Sequence, residues 1–277
     1  MSWSAVVAAI DDGDTFRSRV SMYLHPLAGR PILWHVMRSL ADVHPPPARV
    51  RVLHRAVSAL SLPQDLQVPV QAEPVTADSE LRSLRAAVTA PGMTVLIDGA
   101  AALVTAATIS RLLRAGERGV AALLDDGEPP GGIALSGEGP ALASADDPRR
   151  PPVTVPIAPM SEEERIRITD RHSLAQASVA LRDRLVRLHQ DRGVTFVLPN
   201  STWIDADVRI GPDTVIYPGA VIEGATEIQR ECVIGPYSRI VDSTIGRGVE
   251  LKGWNYVTRT SIRNHAVLEP YVRRGLD

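Results

Sequence analysis

Cysteine is nearly absent from this 277-residue chain, where Cys232 stands alone. A single thiol excludes an internal disulfide framework and any metal site built from several cysteines. Aromatic residues are scarce too, at 4% of the chain with two phenylalanines, so the core must come from aliphatic side chains. No apolar run approaches the roughly eighteen residues that a membrane helix needs. The start, "MSWSAVVAAIDDGD", has no cationic leader, and aspartates cut its short apolar run, which makes it a poor secretory signal. Positive charge is not in surplus. Thirty basic against thirty-two acidic residues speak against nucleic acid as a partner. The expectation is a cytoplasmic protein with no membrane or nucleic-acid partner, long enough for one large or two medium domains.

What is present falls into two patterns. Over residues 1–168, short apolar runs at 5–10, 49–55, 68–73, 93–99 and 119–127 are bounded by turn residues and alternate with amphipathic stretches. In 29–40, residues Ile32, Leu33, Val36, Met37 and Leu40 recur at helical spacing, and 79–90 and 106–115 look similar. Alternating strand and helix predict an α/β domain with crossover units and a mainly parallel sheet. Residues 127–152, "GEPPGGIALSGEGPALASADDPRRPP", read as a long irregular excursion, and "EEER" at 162–165 as a solvated charge run. A connecting helix follows over 169–193. Asp170 or Ser173 caps it, Leu174, Val179, Leu181, Leu185 and Leu188 form its stripe, and Gly193 ends it.

The second pattern is a repeat. Ile204, Ile210, Ile216, Ile222, Ile228, Ile234 and Ile240 are each six residues from the last. The register slips by one to Ile245, runs through Leu251 and Val257, slips again to Ile262, and resumes at Leu268. Four residues after most of them sits a small or hydroxyl side chain: Thr214, Ala220, Thr226, Cys232, Ser238, Thr244. A six-residue period of this kind predicts a β-helix over 194–277, with one strand and one corner per hexad and a regular ladder from about Trp203. Cys232, at a small inward position, reads as a buried, inert thiol. Trp254, Tyr256 and Tyr271, or a partner, are expected to cover the open end of the β-helix.

Three segments carry a resemblance: "LHPLAGRPILWHVM" (24–37), "VPVQAE" (68–73) and above all "GVTFVLPNSTWIDADVRIGPDTVIYPGAVIEG" (193–224). They are similar to the bacterial bifunctional N-acetylglucosamine-1-phosphate uridylyltransferase/glucosamine-1-phosphate acetyltransferase family. The resemblance implies a Rossmann-like nucleotidyltransferase-type domain followed by a short left-handed parallel β-helix. It also implies trimerisation through that β-helix, with itself or with a paralogue or partner enzyme, and a setting in sugar-nucleotide metabolism.

The same resemblance allows the sites to be tested position by position. The family holds a triphosphate in a glycine-rich loop, and only Gly13 keeps a glycine there, among Asp11, Asp12 and Asp14. The family's lysine falls on Met22, and its metal-binding aspartate falls on Ala100, after the retained Gly99. Asp98 and Asp170 are the remaining candidate metal ligands, and each has a competing reading as a capping residue. Gln71 matches the family's uracil-reading glutamine, and Arg17 and Arg19 are candidates for reaching the phosphates. From Ala100 to Thr169 only sixty-nine positions remain for the sugar-binding lobe. The acetyltransferase half stops short as well. Arg273 and Arg274 echo a family arginine, and His265 is the one histidine of the β-helix, at a corner. The leading expectation is a degenerate relative kept for binding or assembly, with a uridine nucleotide or sugar nucleotide as ligand. Two other readings stay open: a nucleotidyltransferase with a rebuilt site, using Mg2+ and the aspartates, or an acyltransferase working around His265.

Overall fold

The computed structural model describes residues 2–10, 15–55, 65–89, 92–117, 119–124, 132–138, 141–142, 147–149 and 156–275. The chain forms two compact units, Met1–Leu27 with Pro31–Ala177, and Ala28–Arg30 with Ser178–Asp277.

In the first unit the apolar runs become strands: β1 (Trp3–Ala9), β2 (Val50–Arg55), β3 (Val70–Val75), β4 (Met93–Asp98) and β5 (Ala121–Leu124). A sixth strand, β6 (Gly132–Glu138), completes a sheet of order β3-β2-β1-β4-β6-β5. β3, β2, β1 and β4 pair in parallel, while β6 is antiparallel to both its neighbours. Residues Ala5–Ala9 are buried without interruption, as expected of a central strand covered on both faces. The helices are α1 (Ile32–Ala41), α2 (Glu80–Val88) and α3 (Ala106–Gly116), and all five of the apolar residues predicted for α1 are buried. Strand order reverses direction between β1 and β4, so the carboxyl ends of these two strands frame the crevice where α/β folds bind ligands.

β6 corrects the reading of 127–152 as wholly irregular. Ile133, Ala134, Leu135 and Ser136 are all buried in it. Its small residues answer a packing demand, because a Cβ on Gly116 of α3 would stand 2.6 Å from the Ser136 hydroxyl. Local composition there is dominated by turn formers, and the tertiary fit overrides them.

The connecting helix α4 (Arg171–Asp191) is capped by both of its candidates. Ser173 N donates to Asp170 Oδ1 at 2.7 Å, and Asp170 N donates to Ser173 Oγ at 3.0 Å. It ends at Gly193 (φ +89°), where Val194 N reaches back to the His189 carbonyl. The buried stripe is Ala177, Ala180, Leu181, Leu185, Val186 and His189, while Val179 and Leu188 face solvent. His189 thus takes the inward place expected of Leu188.

The second unit is the β-helix. Three parallel sheets stack Ile204, Ile222, Ile240 and Val257 in one column, Ile210, Ile228, Ile245 and Ile262 in the next, and Phe196, Ile216, Ile234, Leu251 and Leu268 in the third. All of them are buried. The ladder opens at Thr195–Phe196, one rung before the expected Trp203.

The register slips have a structural cause. After the opening rung, paired residues lie eighteen apart (Val215 with Val233) and then seventeen apart (Val233 with Glu250, Arg239 with Tyr256). Both deletions fall at the same corner, where Asp242 and Arg259 adopt positive φ. Hydroxyls bridge the shortened turns: Ser243 N donates to Thr226 Oγ1 at 3.3 Å, and Thr260 N donates to Ser243 Oγ at 3.2 Å. Corner length changes, and the aliphatic columns stay in register.

A second corner is built differently. Gly219, Tyr237, Trp254 and Tyr271 occupy equivalent places, all at positive φ (75°, 54°, 51°, 65°). The rings stack on one another with centroids 5.6 Å apart at each step. Trp254 and Tyr271 therefore form a column along a corner instead of covering the open end. Tyr256 lies on the adjacent face between the guanidinium groups of Arg239 and Arg273 (5.7 and 5.4 Å). The left-handed conformation costs a bulky residue on the order of 1–2 kcal/mol, and each aromatic pair returns on the order of 1 kcal/mol.

Ala28–Arg30, from "LAGRP", is part of this unit. Ala206 N donates to the Ala28 carbonyl at 3.0 Å, and Arg30 Nε to Asp207 Oδ2 at 2.5 Å. A Cβ on Gly29 (φ +77°) would stand 2.4 Å from Asp205 Oδ2. Asp205 is itself buried, which pushes its carboxyl above the usual range despite hydrogen bonds from Gly224 N and Trp203 Nε1.

Candidate functional site

The carboxyl ends of β1 and β4 gather three segments of the first unit: Phe16–Arg17 after β1, Asp98–Ala101 at the end of β4, and 167–171 leading into α4. Ile168 N donates to the Ala100 carbonyl, and Arg171 Nε donates to the Phe16 carbonyl. Asp11, Asp12, Gly13 and Asp14 lie outside the described residues, so the triphosphate-loop comparison ends at its flank.

Aromatic and aliphatic side chains pack that flank. Phe16, Met22 and Tyr23 are all buried. Tyr23 lies against the turn after β4, since a Cβ on Gly99 would stand 2.9 Å from its ring and 3.1 Å from the Ala9 Cα. Gly99 is thus explained by close packing between strand ends. His25 stacks on Phe16 at 4.9 Å, and Arg171 lies 5.8 Å over the same ring. The His25 Nε2 atom is buried without a hydrogen-bond partner among the described residues.

Asp98 is fully engaged. Its Oδ1 accepts from Ala100 N at 2.8 Å, which closes the turn, and its Oδ2 is paired with the Arg167 guanidinium. Asp170 is a half-buried helix cap, held below the ordinary carboxyl range by hydrogen bonds from the Ser173 backbone and hydroxyl. Among the described residues no three His, Cys, Asp or Glu side chains converge as a metal site would require. Of the two candidate ligands, Asp98 is claimed by Arg167 and Asp170 by the amino end of α4, so neither fits a magnesium ion as it stands.

The other candidates are dispersed. Arg17 and Arg19 are exposed at the crevice flank. Gln71 is exposed on edge strand β3, level with Arg51 near the amino end of β2, three strands away from β4. That is about 14 Å across the sheet at the usual strand spacing. His265 is an exposed corner residue at φ +57°, whose ring overlies Gly248. Cys232 Sγ donates to the Gly246 carbonyl at 3.1 Å, and burial raises its thiol further from ionisation.

Sequence reasoning missed Arg167, Arg171, His25 and Glu164. Arg167 meets Asp98 across 69 residues, and no local pattern announces such a pair. Glu164 overturns the reading of "EEER" as solvated. It is buried, and it accepts from Thr105 N (2.9 Å), Thr105 Oγ1 (2.8 Å) and Ser161 N (2.9 Å). One carboxylate thereby closes the 161–165 turn and the amino end of α3. Its signal was the capping-box spacing Ser161-x-x-Glu164.

Comparison with known proteins separates the two halves. Residues 207–242 match the family model of the bacterial transferase hexapeptide (six repeats). In the carboxy-terminal region the chain is 44% identical over 109 residues to the bifunctional protein GlmU of Caldanaerobacter subterraneus subsp. tengcongensis. It is 51% identical over 92 residues to GlmU of a Geobacillus species. The hexapeptide region is similar to part of these GlmU proteins. The matches cover 39% and 33% of this chain, and they span only 24% and 20% of those GlmU proteins. Beyond the GlmU-like region the likeness is one of fold. The bifunctional IspDF of Campylobacter jejuni superposes with a TM-score of 0.50 at 13% identity, over 64% of this chain and 54% of that one. That likeness shows a shared fold and nothing beyond it. No helix among the described residues is long and apolar enough to cross a membrane.

Proposed function

We propose that this chain is a non-catalytic, GlmU-related subunit of sugar-nucleotide metabolism in the cytoplasm. In this reading the first unit keeps the nucleotidyltransferase architecture without the transfer chemistry. The β-helix provides assembly, as a homotrimer or with a paralogue or partner enzyme. One observation carries the proposal: the carboxylate nearest the expected metal position, Asp98, is held by Arg167 and by the Ala100 amide. Nucleotidyl transfer depends on positioned cations and an anchored metal, and losing one such group typically costs two to three orders of magnitude in rate. Met22 at the family's lysine position and Ala100 at its metal position support the same reading.

The test is pyrophosphate release from UTP and N-acetylglucosamine-1-phosphate with Mg2+, alongside calorimetric titration of UTP and UDP-N-acetylglucosamine. The expected result is no turnover above a heat-denatured control. Turnover that disappears in Asp98→Ala would mean that the site was rebuilt, and the proposal would be withdrawn.

A further inference from the structure

The geometry points to a binding site for a free hydrophobic α-amino acid at the amino-terminal edge of the first unit's sheet, the edge opposite the crevice. The site lies within one unit and is independent of the proposed assembly.

This edge is where β1 and β4 begin. Trp3 and Met93 are the first residues of these strands and pair with each other. α1 and α3 run back to the same edge and end there, at Ala41 and Gly116. Between the last turns of α3 and the chain leaving α1 lies a cavity of about 150 Å³. Trp3, Val43, Met93 and Leu113 give it an apolar lining, and the first three are buried. The indole N–H of Trp3 donates to the Pro45 carbonyl at 2.9 Å, so its polar atom is already paired. A cavity near this size holds a benzene-sized group. The lining therefore suits a branched aliphatic or single-ring side chain.

α3 supplies the polar groups. One of its faces buries Thr108, Ile109, Leu112 and Gly116. A second stripe, Ser110, Leu113, Arg114 and Glu117, follows the i, i+3, i+4, i+7 spacing of a single helix face and lines the cavity. Packing explains Leu113 but not the charged pair beyond it. Arg114 and Glu117 are exposed, and neither side chain is hydrogen-bonded or ion-paired to another described residue. Residues three apart on a helix are neighbours, so a free cation and a free anion stand side by side next to an apolar cavity. A small cavity with few polar groups at its mouth is the usual form of a ligand site.

The charges select a zwitterion. Arg114 offers a planar fork of donors to a carboxylate. Glu117 accepts from an ammonium, and the carbonyl ends of α1 and α3 add partial negative charge beside it. His44 also lines the cavity; its Nδ1 donates to the Asp42 carbonyl at 3.0 Å, which leaves Nε2 of the neutral ring as a further acceptor. An α-amino acid carries its carboxylate, ammonium and side chain on one carbon, and so meets all three features at once. A plain amine or a plain carboxylate leaves one of the two protein charges unmatched.

Calorimetric titration of the full chain with L-leucine and L-phenylalanine tests the site, with phenethylamine and phenylpropionate as ligands that each lack one charge. The expected result is saturable binding of the amino acids with a Kd below about 1 mM, and binding of each analogue weaker by about tenfold or more. Arg114→Gln should weaken phenylalanine about tenfold and leave phenethylamine unchanged. Glu117→Gln should weaken phenylalanine and leave phenylpropionate unchanged. Both positions are exposed, so the variants keep the fold. The absence of saturable binding by either amino acid up to about 10 mM would overturn the site. Binding that neither substitution alters, or analogues that bind as tightly as the amino acids, would overturn it as well.

Discussion

Removing the Glu164 carboxylate tests whether one buried side chain closes two segments of the first unit. In Glu164→Ala, the Thr105 and Ser161 amides lose their acceptor, together with the Thr105 hydroxyl. A hydroxyl can rotate toward another acceptor, but an amide cannot. An amide left unpaired away from water costs about 1–3 kcal/mol. Ser161 is exposed, so water can replace part of its loss. The expected destabilisation is about 2–4 kcal/mol, a large part of the roughly 5–15 kcal/mol that holds a domain together. In scanning calorimetry this corresponds to a melting point lower by about 5–15 °C. Glu164→Gln keeps one acceptor oxygen and should fall between.

The pH dependence follows from the same contacts. Burial works to raise this carboxyl, but hydrogen bonds from Thr108, Ser161 and Thr105 outweigh it and hold the group below its ordinary value of 4.5. Stability from the charged form is therefore present above about pH 4.5 and is lost as pH falls through the lowered folded value. The gap between wild type and Glu164→Gln should narrow over that window. An alanine variant within 1 kcal/mol of wild type at pH 7, with an unchanged denaturant slope, would refute the reasoning.

Two further outcomes are expected. Burial, with a smaller contribution from Arg192, lowers His189 from 6.5 to about 4, so the unfolded chain takes up a proton before the folded one does. Stability should be full above pH 6.5 and decline by about 3 kcal/mol toward pH 4, and His189→Gln should flatten that decline in urea titrations at a series of pH values. Ile222→Asp puts an unpaired charge between Ile204 and Ile240 and should abolish cooperative unfolding of the β-helix, whereas Ile222→Val should cost about 1 kcal/mol; native hydrogen exchange separates the two.

The β-helix was legible because its determinant is local. Six residues build one strand and one corner, so the isoleucine period maps onto the stack directly, and even the two slips mark real one-residue deletions. β1 and α1 were legible for the same reason, through continuous and helical apolar spacing. β6 was not, because its small residues matter only against Gly116 and its neighbouring strands. The candidate crevice was legible only through the family resemblance, as replacements at Met22 and Ala100 with Asp98 nearby. What those replacements do instead was not. The pairing of Asp98 with Arg167, the packing of Tyr23 on Gly99 and the contact of Glu164 with Thr105 all join residues far apart in sequence, and chemical type alone names no partner.

The membership of Ala28–Arg30 in the second unit bears on the order of events during synthesis. Arg30 emerges from the ribosome early, and its partner Asp207 follows 177 residues later. Closing so long a loop costs little more than closing one half its length, but it cannot begin until both ends exist. Through most of translation the turn around Gly29 therefore waits without its carboxylates. A fragment that starts at Ser178 never receives that turn, and Asp205 and Asp207 then face water at the first coil of an otherwise complete stack.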